Sequence, residues 1–157
     1  MELTHINENG EAVMVDVGEK DVTRRTAKAY AKVTMQPETL KKLLACDLKK
    51  GDALSAARIA GIMAAKRTWE LIPLCHNIPI EKVGIEFYNN KVDELYIYAE
   101  AVCSYKTGIE MEVLTAVSVA ALTVYDMCKA IDRGMTISDV HLTEKTGGKS
   151  GEYHNDR

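Results

Sequence analysis

Ala29-Tyr30-Ala31-Lys32-Val33-Thr34-Met35 alternates apolar and polar side chains. That period of two predicts a half-buried strand. Pro37 then suits the first turn of a short helix carrying Leu40, Leu43 and Leu44. After the loop Lys49-Lys50-Gly51, Asp52 is placed to cap a helix over about 53–68. Ala53, Ala56, Ala57, Ala60, Gly61, Ala64 and Ala65 recur on it at three- and four-residue spacing. One face is therefore nearly flat and lets another backbone approach closely. Val83, Ile85 and Phe87 alternate up to Asn89-Asn90, and Leu95, Ile97, Ala99, Ala101 and Cys103 alternate on the return, which predicts a β-hairpin. A second long helix is expected from Thr107 to about Asp132, with Thr107 and Glu110 as a capping box and Gly134 at its end. Ile137, Val140 and Leu142 suggest a last strand.

The order strand, helices, hairpin, long helix, strand is α+β. Its simplest form is a ferredoxin-like antiparallel sheet with helices on one face. Residues 1–28 read as a polar N-terminal arm, 29–146 as one α+β catalytic domain and 147–157 as a glycine-rich tail.

Between the first long helix and the hairpin stands Leu71-Ile72-Pro73-Leu74-Cys75-His76-Asn77, with Pro79 just beyond. A proline pushes the residue before it away from the helical region, so Ile72 and Ile78 should bracket a short, stiff, non-helical stretch. A thiol, an imidazole and an amide in a row on such a stretch suit a pocket wall. A Cys75–His76 nucleophilic dyad is disfavoured, because neighbours on an extended chain point to opposite sides.

Composition narrows the classes. The chain has 157 residues, 46% of them hydrophobic, and a formal charge of −3, so no global basic field invites nucleic acid. No uninterrupted apolar run approaches bilayer length, and no signal peptide is visible at the N-terminus, so a cytoplasmic protein without membrane partners is expected. Cys46, Cys75, Cys103 and Cys128 are 25 to 29 residues apart with no CxxC, which argues against a zinc knuckle and suits reduced thiols.

Several residues invite chemistry. Lys50 precedes a helix N-terminus, where a cation and free N–H groups favour anions. Asp126 and Lys129 stand at i and i+3 among apolar neighbours, so a partly buried acid–base pair is expected. Glu110 is accounted for by capping, whereas Glu112 is not. Fourteen residues separate Glu112 from Asp126, roughly 21 Å along one helix. They share a compact site only if two copies of that helix meet. Gly147-Gly148-Lys149-Ser150 looks like the end of a P-loop, but position 143 is Thr143 and too little chain follows for the required helix.

Taken together, Leu3 to Asn7, Met14 to Val17, Lys50-Gly51-Asp52, Ala57 to Ile62, Ala64 to Thr68, Leu71 to His76, Gly108 to Glu112, Leu122 to Lys129 and Gly147 to Gly151 resemble the molybdenum cofactor biosynthesis protein C family, the cyclic pyranopterin monophosphate synthases. The resemblance covers essentially the whole chain in order. It implies a ferredoxin-like fold assembled as a hexamer, a trimer of dimers with interfacial active sites. It also implies conversion of 3′,8-cyclo-7,8-dihydroguanosine 5′-triphosphate to cyclic pyranopterin monophosphate and pyrophosphate. By the same resemblance Asp126 matches the catalytic aspartate, and Lys50 and Lys129 the essential lysines. Leu74, Cys75, His76, Met111 and Glu112 match substrate-contacting stretches, and Glu110 a further active-site carboxylate. Arg25 corresponds to a phosphate-binding arginine, with Arg24 beside it, and Lys149 on its glycine loop would be a further phosphate contact, against the alternative of a frayed terminus. No metal ligand is assigned among these residues and no cofactor is fixed by the sequence; Mg²⁺ can accompany the substrate triphosphate, and whether a metal is obligatory is left open. The competing readings are a non-catalytic nucleotide-binding regulatory module of the same fold, and a cysteine-dependent hydrolase.

Overall fold

A computed structural model of the protein describes residues 4–156. Leu3, one of the residues that carried the resemblance, lies outside them. The elements run β1 (Thr23–Thr34), α1 (Pro37–Leu44), α2 (Ala53–Lys66), α3 (Thr68–Leu71), β2 (Ile80–Asn89), β3 (Glu94–Tyr105), α4 (Glu110–Cys128), β4 (Thr136–Thr146) and β5 (Tyr153–His154). The sheet is antiparallel with strand order β2-β3-β1-β4-β5. Its first four strands have the split βαβ arrangement of the ferredoxin-like fold.

Alternation fixes which face is which. Ala27, Ala29, Ala31 and Val33 of β1 are fully buried under the helices, while Lys28, Tyr30, Lys32 and Thr34 point to the other side. Leu95, Ile97, Ala99, Ala101 and Cys103 do the same on β3. The opposite face carries Tyr30, Tyr96, Tyr98 and His141 around a cavity of about 740 Å³, with Lys32 held between Glu94 and Asp139. That cavity contains none of the residues expected to do chemistry.

The small-residue face of α2 is used inside the chain. Ala53, Ala57, Gly61, Ala64 and Ala65 are buried, and α2 lies against α4 and β2. A Cβ on Gly61 would overlap Ile85 Cδ1 and sit 2.9 Å from the carbonyl oxygen of Ala116 and 3.3 Å from Ala120 Cβ. Gly61→Val should therefore destabilise the protein by about 2 kcal/mol or more, the overpacking cost outweighing a few tenths gained in helix propensity. A lowered urea midpoint checks this; an unchanged midpoint would mean that the two helices have room to part.

Four expectations need correction. β1 starts six residues before Ala29, so 23–28, grouped with the arm for its polarity, pairs in register with β3 from Thr23 opposite Tyr105. The first long helix stops at Lys66, and a separate turn of helix, α3, follows Arg67. α4 begins at Glu110, with Ile109 at the cap position and no side-chain cap. Thr107 therefore forms no capping box, because the Glu110 carboxylate is taken by Lys145 of β4. The helix ends at Cys128 rather than Asp132; the buried Asp132 carboxylate instead accepts from the Gln36 and Gly134 amides and the Thr39 hydroxyl.

Two elements differ from the pattern in another way. The tail folds back, with Tyr153 and His154 paired to Lys145 and Glu144 of β4. α4 has a mean hydropathy of 1.4, so by length and composition alone it could cross a membrane. Here Val113, Ala116, Val117, Ala120, Ala121, Val124 and Cys128 form its buried stripe against the sheet, as in the core helix of a globular domain.

Candidate active site

The Pro-bracketed segment is non-helical, and Ile72 before Pro73 is extended at φ −106° and ψ 106°. Pro73 and Leu74 turn, with the Cys75 amide donating to the Ile72 carbonyl (3.3 Å), and the chain from His76 to Pro79 leads directly into β2. His76 Nε2 lies 2.7 Å from the carbonyl oxygen of Val15. A carbonyl only accepts, so Nε2 carries a hydrogen and the imidazole ties the N-terminal arm across the segment. Cys75 lies towards Glu112. Burial, reinforced by that carboxylate, raises its thiol pKa, the opposite of what an activated nucleophile needs.

Leu74, Cys75, His76, Glu110, Met111 and Glu112 line one cavity of about 540 Å³, closed on the arm side by Val15, Val17 and Lys20. Glu112 is 3% exposed, and its Oε2 has no hydrogen-bond partner. Burial, with Glu110 adding like charge, pushes its carboxyl up to about 7.

A second cavity of about 480 Å³ shares Lys20, Thr107, Gly108 and Glu110 with the first. Its wall carries Arg25, Lys106, Lys145 and Lys149, so most of its charge is positive. Arg25 is the inward member of its pair, its Nε donating to the Tyr105 carbonyl (3.0 Å). Arg24 projects outward towards Glu81. Lys20, Lys106 and Lys145 escaped the sequence reading. Lys106 donates to the Gly18 carbonyl at 2.6 Å, and Lys145 reaches Glu110 from 35 positions away. No local spacing could signal either contact.

The third group sits at the other end of α4. Asp126 Oδ1 accepts from Lys129 Nζ (2.6 Å) and Oδ2 from Lys50 Nζ (2.9 Å), and Lys50 also reaches the Asp126 carbonyl (3.2 Å). Lys50 arrives because the start of α2 lies beside the end of α4. The side chain of Asp52 caps α2 through the Ser55 amide (3.0 Å) and so fixes where that loop ends. The cluster is about half exposed rather than partly buried as expected, since the carboxylate leaves the helix end and reaches out to two long cations. Lys129, then Lys50, hold the Asp126 carboxyl down at about 2, and Asp126 raises Lys129 in return.

One chain thus gathers its ring-sized and cationic cavities at the start of α4 and its Lys–Asp–Lys cluster at the end. The helix between them is unbroken, so Glu112 and Asp126 remain roughly 21 Å apart. Among the described residues, no group of three or more His, Cys, Asp and Glu is placed to hold a metal ion.

Residues 14–148 match the MoaC family. The chain is 59% identical over 153 residues to a cyclic pyranopterin monophosphate synthase of Peptoclostridium acidaminophilum, covering 98% of this chain and 97% of that one. It is 53% identical to the protein of the same name from Brevibacillus brevis, covering 98% and 96%. A third, from Parvibaculum lavamentivorans, is 57% identical over 96% and 95%.

Proposed function

The chain belongs to the MoaC family, and from that premise we propose that it is a cyclic pyranopterin monophosphate synthase of molybdenum cofactor biosynthesis. It converts 3′,8-cyclo-7,8-dihydroguanosine 5′-triphosphate to cyclic pyranopterin monophosphate and pyrophosphate. One observation carries the reading to these residues: a cavity of ring size opens into a cationic cavity through a shared Lys20 and Glu110. The tricyclic end of the substrate occupies the first, between Leu74-Cys75-His76 and Met111-Glu112. Its phosphates occupy the second, against Arg25 and Lys149. A magnesium ion travelling with the triphosphate belongs to the substrate, because the wall facing it supplies chiefly cations.

Lys50, Asp126 and Lys129 are the catalytic group. Closing the cyclic phosphate forms a bond from a sugar-derived oxygen to the α-phosphorus and breaks its bond to pyrophosphate, which leaves with its electron pair. Two ammonium groups fixed on one carboxylate stabilise that developing charge. As they turn to phosphate oxygens, Asp126 loses the partners that depress its pKa and becomes a better base for the ring-closing proton transfers. Because the cluster and the cavities lie at opposite ends of α4, each site is completed by a neighbouring copy. The number of copies comes from the family resemblance, which implies a homohexamer, a trimer of dimers. Four free thiols suit a reducing, cytoplasmic setting.

Mass spectrometry of the cyclised nucleotide after incubation tests the proposal. Appearance of the cyclic monophosphate and pyrophosphate is expected, and recovery of unchanged nucleotide would leave a regulatory binding module. Cys75→Ser should retain most of the activity, since its thiol is held protonated and only lines the wall. Loss of turnover there, with Asp126→Asn tolerated, would instead point to cysteine chemistry.

A further inference from the structure

Gly147, Gly148 and Gly151 all have positive φ, at 93°, 78° and 71°. Their surroundings differ. A Cβ on Gly151 would meet nothing within 4 Å. One on Gly147 would overlap the Arg24 carbonyl oxygen and lie 3.1 Å from Arg25 Cα, so that glycine is demanded by backbone. One on Gly148 would overlap Arg25 Nη1 and lie 3.0 Å from Cζ and 3.2 Å from Nη2. The bare Cα of Gly148 is thus one wall of the slot that holds the Arg25 guanidinium. The Tyr105 carbonyl, accepting from Nε, is another.

We propose that Gly148 is a positioning residue for Arg25: its missing side chain leaves the space in which the guanidinium lies against the cationic cavity, ready for the substrate's phosphates. The proposal rests on reading that cavity as the phosphate site. The glycine pair thereby has a purpose unlike that of a P-loop, where glycines turn amides towards phosphate. Here a glycine makes room for a cation. A guanidinium confined before binding gives up its rotamer freedom during folding, so less is lost when phosphate arrives. The clash a methyl creates falls on the far end of a flexible side chain, so the fold survives and the aim does not.

Gly151→Ala supplies the control, having the same left-handed backbone without the contact. Both alanine variants should be compared in the wild-type and Arg25→Lys backgrounds by melting temperature, by kcat and KM for the cyclised nucleotide, and by calorimetric titration with inorganic tripolyphosphate. The two alanines are expected to melt alike. Gly148→Ala should raise KM and weaken tripolyphosphate binding by roughly tenfold or more, the usual effect of losing a charge-assisted contact, with kcat changed far less. Gly151→Ala should keep wild-type values. With Arg25→Lys, whose narrow ammonium clears the methyl, Gly148→Ala should cost no more than Gly151→Ala. Equal KM and binding shifts for the two alanines would overturn the proposal. So would an undiminished Gly148 penalty in the lysine background, or failure of Gly148→Ala alone to fold. If the unaltered protein leaves the nucleotide unchanged, the proposed function falls, and the tripolyphosphate titrations still decide the role of Gly148.

Discussion

An Asp126→Asn protein is expected to fold and assemble normally and to lose cyclic pyranopterin monophosphate formation by about 10²–10⁴-fold in kcat. The cluster is half exposed, so its ion pairs add little to stability. Its chemistry, by contrast, depends on the charge. Asparagine has almost the same shape but accepts through one oxygen only, so Lys50 and Lys129 lose the anion that draws them together. It also has no basic oxygen for the proton transfers of ring closure. Single-turnover kinetics with the cyclised nucleotide, beside a thermal melt, measure both parts. Wild-type kcat in the variant would remove Asp126 from the mechanism. A collapsed melting temperature with poor assembly would make it structural instead.

Glu112→Gln should change the pH dependence of stability more than any other single substitution at the site. The carboxyl is pushed up from an ordinary 4.5 to about 7 in the folded protein, chiefly by burial. Between those values the unfolded chain has released its proton and the folded chain has not, so stability falls as pH rises from about 4.5 to about 7 and the loss persists above it. A shift of that size corresponds to a penalty on the order of 3 kcal/mol. Glutamine, neutral throughout, removes it. The variant should therefore be the more stable protein at pH 8 while, on the proposed placement of the substrate rings against Glu112, binding the cyclised nucleotide worse, since the unpartnered Oε2 becomes an amide. Urea titrations at pH 5 and pH 8 provide the check; parallel pH profiles for the two proteins would show that Glu112 is already solvated.

The alternation of β1, β2 and β3 was legible because each has one face under the helices and one exposed. The start of α2 was legible because Asp52 caps it through a local contact. The start of α4 was not, because Glu110 is taken by Lys145, far along the chain. A local capping rule cannot see such a competitor. β5 was hidden for a similar reason, being two residues paired to the edge of β4. At the site, Leu74 to His76 share one cavity with Glu110 to Glu112 and Arg25 shares another with Lys149, whereas Lys50, Asp126 and Lys129 line neither. The choice between Arg24 and Arg25 needed the strand: adjacent side chains leave a sheet on opposite faces, and only the register of β1 says which one faces the cavity.

The unbroken length of α4 has a hereditary consequence. Its buried stripe recurs every three or four residues, and the chemistry is attached at its two ends. Inserting or deleting one residue between Val113 and Tyr125 would turn everything beyond it by about 100° and slide it by about 1.5 Å. Asp126 would then swing away from Lys50 even if every side chain were kept. Within one chain, an exposed position such as Leu122 is free of that packing constraint. The count of residues is not: over this stretch, descent cannot alter the spacing.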